Sequence, residues 1–237
     1  IKSNQIGVIR SKGVIYCYDD RNIYFFTNSN LKFLIQNQNT LSKENMLIYS
    51  FEDKIMSVFS NEEFLYTLHI KDKKSIVNVF DIKDVINKRT AVPSISLNYP
   101  FPIKDIQLLN PSSYTQFVVL NDNHSLCIYD KENNIASLSS QCTTFKVNQK
   151  GSQIVFVDTE IKVFTNTSAP QKICSFLLSE ILCENEKIIF VDIVKQFIVL
   201  YGIDTNEERK DDKIHFVDMT NKKVYTNDAF EYPEEEE

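Results

Sequence analysis

Residues 55–82 read IMSVFSNEEFLYTLHIKDKKSIVNVFDI, and this stretch decides the fold. Three apolar runs, Ile55 to Phe59, Phe64 to Ile70 and Ile76 to Ile82, are separated by short polar turns. The runs are five to seven residues long and rich in β-branched and aromatic side chains, which suits strands and not helices. Four other segments share the plan. They are Ile6–Ile9, Gly13–Tyr18 and Ile23–Phe26; then Ile103–Leu109, Phe117–Leu120 and Ser125–Tyr129; then Thr143–Val147, Gln153–Val157 and Ile161–Phe164; and last Ile188–Ile193, Phe197–Tyr201 and Ile214–Asp218. Their starts lie 49, 48, 40 and 45 residues apart. A period of this length with several short strands per repeat is that of four-stranded propeller blades. The sequence therefore predicts an all-β protein, a β-propeller with five blades visible. The fourth strand of each blade should fall in the weaker stretches between, such as Lys32 to Gln36, Ser94 to Leu97 and Lys172 to Leu177.

Middle strands such as Phe117-Val118-Val119-Leu120 are unbroken apolar runs, as expected for strands covered on both faces by neighbouring sheets. Only Phe176 to Cys183, with Ser175 or Ser179 as a start signal, suggests one or two helical turns. The chain has four Gly and six Pro, few for so many turns, so Asn, Asp and Ser must build them with side-chain hydrogen bonds. Residues 1–227 form the propeller in this reading, and 228–237 an acidic tail or linker without a core to join. The first residue is Ile, not Met, which reads as part of a longer chain.

The net charge of −6 belongs to that tail: its ten residues hold six acids, and removing them leaves 26 acidic and 26 basic residues. A neutral body without Lys/Arg clusters argues against direct nucleic-acid binding. No apolar run approaches the roughly 18–20 residues that span a bilayer as a helix, so membrane insertion is not expected. The five cysteines, Cys17, Cys127, Cys142, Cys174 and Cys183, lack metal-ligand spacing and read as reduced thiols, most of them buried. The three histidines, His69, His124 and His215, are dispersed, and no nucleophile elbow, phosphate loop, dinucleotide fingerprint or C-x-x-C pattern occurs. Hence no catalytic residue, metal site or cofactor is expected, and the chain reads as a non-enzymatic binding platform.

One loop stands out. Gly202-Ile203-Asp204-Thr205-Asn206-Glu207-Glu208-Arg209-Lys210-Asp211-Asp212-Lys213 joins two strands of the fifth repeat and is far longer than a hairpin needs. Long loops in compact β folds are solvated insertions or functional elements. This one carries five acids against three bases, so its candidate partner-binding residues are Asp204, Glu207, Glu208, Asp211 and Asp212.

The order of segments resembles the N-terminal propellers of the mRNA-export FG nucleoporins on the cytoplasmic face of the nuclear pore complex. Gln5-Ile6-Gly7-Val8 to Asn22-Ile23-Tyr24-Phe25-Phe26, with Leu31 to Asn37 after it, is similar to that family's first blade and its exit. Val77-Asn78-Val79-Phe80-Asp81-Ile82 and the polar connector Lys83 to Arg89 resemble the second blade. Thr143 to Phe164, turning at Asn148-Gln149-Lys150-Gly151, matches a later blade, and Lys187 to Asp218 resembles the next with its long acidic hairpin loop. The resemblance implies a seven-bladed ring of which five blades are visible. It implies other nucleoporins and a DEAD-box RNA helicase with a basic surface as partners, and a role in recruiting that helicase. Asp211 and Asp212 correspond best to the helicase-facing acids, and their position just before Ile214 leads us to expect them to be the acids buried against the helicase in the complex, with Asp204, Glu207 and Glu208 as steering charges. The alternative is a generic WD40-like scaffold subunit of another large assembly, in ribosome biogenesis or a vesicle coat.

Overall fold

A computed structural model describes residues 5–27, 47–109, 113–148, 152–183, 185–205 and 212–228. The chain divides into two compact units, residues 1–103 and 104–237. Five four-stranded sheets follow one another along it, each antiparallel and in sequence order. The first contains β1 (Gln5–Ile9), β2 (Val14–Tyr18), β3 (Asn22–Thr27) and β4 (Leu47–Ser50). The second contains β5 (Ile55–Ser60), β6 (Phe64–Lys71), β7 (Lys74–Asp81) and β8 (Ile95–Tyr99). The third has β9 (Ile103–Leu108), β10 (Gln116–Asn121), β11 (Leu126–Asp130) and β12 (Asn133–Ser139). The fourth has β13 (Thr144–Asn148), β14 (Gln153–Val157), β15 (Glu160–Thr165) and β16 (Lys172–Leu177). The fifth has β17 (Glu186–Val194), β18 (Phe197–Asp204), β19 (Lys213–Asp218) and β20 (Val224–Asp228).

The apolar middle strands are covered on both faces. In β14, Ile154 and Phe156 pack with Val118, Leu120 and Ile128 of the third sheet. Val155 and Val157, on the opposite face, pack with Val191, Ile198 and Leu200 of the fifth. Because side chains alternate along a strand, an unbroken apolar run is the pattern a sandwiched strand requires. In the first unit, Val14, Tyr16, Ile23 and Phe25 meet Ile55, Val58, Leu65 and Phe80. The Phe80 ring lies 5.7 Å from Phe25 and 5.6 Å from Tyr49. Burying each such side chain contributes about 1.5–3 kcal/mol.

Side-chain oxygens shape the turns, as the scarcity of glycine demands. Asp19 Oδ1 accepts from the backbone N–H groups of Arg21 (2.9 Å) and Asn22 (2.8 Å). Asn61 does so for Glu63 and Phe64, Asp158 for Glu160, and Asp218 for Thr220. Between β6 and β7 the two-residue turn Asp72-Lys73 has φ of 50° and 61°, the left-handed pair that matches strand twist.

Three local expectations need correction. The fourth strand of the first sheet is Leu47–Ser50, not Lys32 to Gln36, which lies outside the described residues. Phe176 to Cys183 holds less helix than expected: β16 continues to Leu177, where pairing with Glu160 ends, and a single 3-10 turn, Leu178–Glu180, follows. The connector after β7 holds an α-helix instead, α1 (Ile82–Lys88). Asp81 caps it, accepting from Lys83 N (2.8 Å), while Ile82 and Val85 bury into the first unit's core.

Candidate protein-docking site

The loop singled out by the sequence springs from the end of the fifth sheet. Pairing between β18 and β19 runs from Phe197↔Asp218 to Gly202↔Lys213, while pairing with β17 extends two residues further along β18, to Glu186↔Asp204. Thr205 then ties the loop's start down: its N–H and its hydroxyl both donate to the Asn185 carbonyl, at 2.9 and 2.6 Å. Asp204 and Asp212 thus stand at the two ends of the loop on fixed backbone. Glu207, Glu208 and Asp211 lie outside the described residues.

Asp212 is half-buried. It precedes Ile214, the partner of Tyr201, by two residues and so shares a sheet face with both. The Tyr201 hydroxyl donates to its Oδ2 at 2.7 Å. That hydrogen bond pushes the Tyr201 pKa above its ordinary value, because ionising the phenol would lose the bond to the carboxylate. Asp212 Oδ1 remains unengaged by any described residue.

The two faces of the fifth sheet differ. Val191, Ile193, Ile198, Leu200 and Val217 are buried against the fourth sheet. On the other face Phe190 stands opposite Tyr201, and Phe216 opposite Tyr225. Phe190 is 46% and Tyr225 48% exposed, which makes this an apolar, aromatic surface beside the acidic hairpin. A β-bulge at Ile189 starts it, turning two successive apolar side chains toward solvent.

A polar row crosses the buried face at the same level. His215 is fully buried; its Nε2 meets Glu186 Oε1 at 2.5 Å and its Nδ1 meets Thr226 Oγ1 at 2.9 Å. The Glu186 side chain is 3% exposed, and its Oε2 accepts from Cys183 N at 3.0 Å. The carboxylate lies across Gly202, where an added Cβ would sit 1.8 Å from Oε1. Sequence reasoning passed over this group. A glycine inside an otherwise apolar strand was the available signal, since it marks a close approach of another group to the backbone.

The other polar candidates stay apart. His69 bonds Thr67 within the second sheet at 2.9 Å, and His124 lies at the β10–β11 turn. Among the described residues no group of three His, Cys, Asp or Glu side chains is arranged to hold a metal. None of the five cysteines is in a disulfide: Cys17, Cys127 and Cys142 are buried, and Cys183 is exposed 3.2 Å from Lys213 Nζ. In the second unit a groove of about 590 Å³ is lined by Ser125, Ser137, Ser140 and Gln141 above the Asp158–Lys162 ion pair (2.8 Å). Ser139 Oγ donates to the same Asp158 oxygen, so the groove's one acid and one base are already committed to each other. No helix among the described residues is long and apolar enough to cross a membrane.

Successive four-stranded antiparallel sheets, each connected in sequence order and stacked on the next within a unit, define a β-propeller protein. The chain belongs to the NUP159/214 β-propeller family, which it matches over residues 2–232. It is thus a nucleoporin-type propeller, of the scaffold or docking kind. No curated protein matches it by overall sequence. Among solved structures it is similar to Hsv2 from Kluyveromyces marxianus (TM-score 0.59, 9% identity, 92% of this chain, 64% of that one). It is also similar to the WD40 domain of coronin from Toxoplasma gondii (TM-score 0.57, 11% identity, 94% and 58%). Sqt1 from Chaetomium thermophilum is a third such structure (TM-score 0.51, 12% identity, 89% and 54%). The likeness is of fold alone, and the chain spans less than two thirds of each of these three.

Proposed function

We propose that this chain is a docking propeller of the nuclear pore complex, on its cytoplasmic face, that recruits a DEAD-box RNA helicase for mRNA export. The observation that carries the reading is membership of the NUP159/214 family over nearly the whole chain. The acidic hairpin of the fifth sheet is the docking element, through Asp204, Glu207, Glu208, Asp211 and Asp212. Its chemistry suits a basic protein surface. Asp212, held by Tyr201 through Oδ2, would present its Oδ1, which no described residue engages, to a guanidinium or ammonium group of the helicase. Other nucleoporins are the remaining partners. Two further blades, covering the outer aromatic face of the fifth sheet and completing a seven-bladed ring, belong to the same reading.

The test is binding to the candidate helicase by surface plasmon resonance at two salt concentrations. Asp211→Arg with Asp212→Arg should abolish binding without unfolding the propeller, since losing one side of a close charge pair costs about 2–5 kcal/mol of binding. Glu207→Ala with Glu208→Ala should mainly slow association, and less so at high salt. Wild-type affinity in the double Arg variant would remove the hairpin from the interface.

A further inference from the structure

We infer that Glu186, His215 and Thr226, with Gly202 beneath them, are positioning residues that fix the base of the docking hairpin; this rests on the docking role proposed for that hairpin. The row contains one residue from each strand of the fifth sheet: Glu186 opens β17, Gly202 lies in β18, His215 in β19 and Thr226 in β20. It sits where the loop departs. Glu186 is paired with Asp204, Gly202 with Lys213, and Lys213 directly follows Asp212. A buried carboxylate–imidazole pair is a costly way to fasten a sheet, because apolar side chains would pack there without desolvating a charge. Its distinguishing property is direction. Hydrogen bonds of fixed length hold β17, β19 and β20 in one register, whereas apolar contacts tolerate sliding.

Gly202 makes the row possible, since any side chain there would fill the space of the Glu186 carboxylate. The second carboxylate oxygen extends the network to Cys183 N, and the neighbouring Asn185 carbonyl receives both bonds from Thr205. Both stems of the hairpin are thereby tied to the 183–186 segment, one through Thr205 and the other through His215. The row acts on the acids through backbone; it does not touch the partner.

Thr226 allows a mild test, because it is exposed except for its hydroxyl contact. Thr226→Val keeps the shape and removes the hydroxyl; Thr226→Ser keeps the hydroxyl. In Thr226→Val, amide hydrogen exchange at 203–205 and 212–214 should speed up roughly five- to tenfold, the factor one net hydrogen bond is worth. Exchange at Ile198 to Leu200 should stay as in the wild type, and Thr226→Ser should restore protection. Helicase affinity should fall by a similar factor in the Val variant and recover in the Ser variant. Unchanged exchange at the hairpin base, or a uniform rise over β17–β20, would overturn the positioning role. If the wild-type chain does not bind the helicase, the docking reading fails by itself, and the exchange result still decides whether the row fixes the hairpin.

Discussion

Gly202→Ala is the sharpest single perturbation of this chain. The new methyl carbon would stand 1.8 Å from Glu186 Oε1, 2.7 Å from Cδ and 2.8 Å from Cγ. None of these distances is tolerable, so the carboxylate must move away. It then abandons His215, a residue with no solvent exposure, whose Nε2 loses its partner. Leaving one buried polar group unsatisfied costs about 1–3 kcal/mol, and more if the carboxylate stays buried and unpaired. Against this, Ala in a strand is better than Gly by roughly 0.5–1 kcal/mol. The net loss should be about 1–2 kcal/mol, which for a chain of this size lowers the melting temperature by about 2–8 °C. Thermal unfolding followed by circular dichroism at 218 nm would measure it. Combining Gly202→Ala with Glu186→Ala removes the collision, so the double variant should be less destabilised than the sum of the two singles, a coupling expected only for side chains in contact. A Gly202→Ala protein with wild-type stability, or strictly additive singles, would refute the argument.

Acidification should weaken the fold through Asp158 and Asp19. Burial alone would raise both carboxyl pKa values, but hydrogen bonds outweigh it: from Lys162, Ser139 and Glu160 N–H at Asp158, and from Arg21 N–H, Tyr24 and Asn22 at Asp19. Both folded values lie below the ordinary one, so their contribution is present above about pH 4 and lost as pH falls through the folded value; Asp158→Asn should flatten the loss seen in acid titrations of the melting temperature. Thiol labelling of the native protein with mass mapping should modify Cys183 first; Cys142, whose pKa burial pushes up to about 12, should react only on unfolding. The aromatic outer face of the fifth sheet should make the isolated chain self-associate with rising concentration, and Phe190→Lys with Tyr225→Lys should reduce this in sedimentation velocity. Asp81→Ala should loosen α1 at a cost of about 1 kcal/mol, visible as a lower melting temperature.

The sequence by itself determined the fold class. Five recurring triplets of apolar runs, with polar turns between, admit few arrangements other than consecutive sheets, because period-2 burial is local and survives in the residue pattern. Continuous runs such as Ile154 to Val157 also announced their sandwiched position. Strands at sheet edges were less legible: Leu47–Ser50 is only four residues long and alternates half-buried and exposed residues, too short a stretch for its apolar side chains to establish a period. The helix Ile82–Lys88 spans two turns, too short for a 3.6-residue period to emerge. The acidic loop was legible as a candidate because its length and charge are local properties. What holds that loop was not. Glu186, Gly202, His215 and Thr226 span 41 positions of the chain, and only the register of four paired strands brings them into one row. That Asp212 meets Tyr201, and that Gly202 lies under a carboxylate, are likewise consequences of strand pairing. Pairing is a long-range choice, made by the summed packing of whole sheets, and no short stretch of residues encodes it.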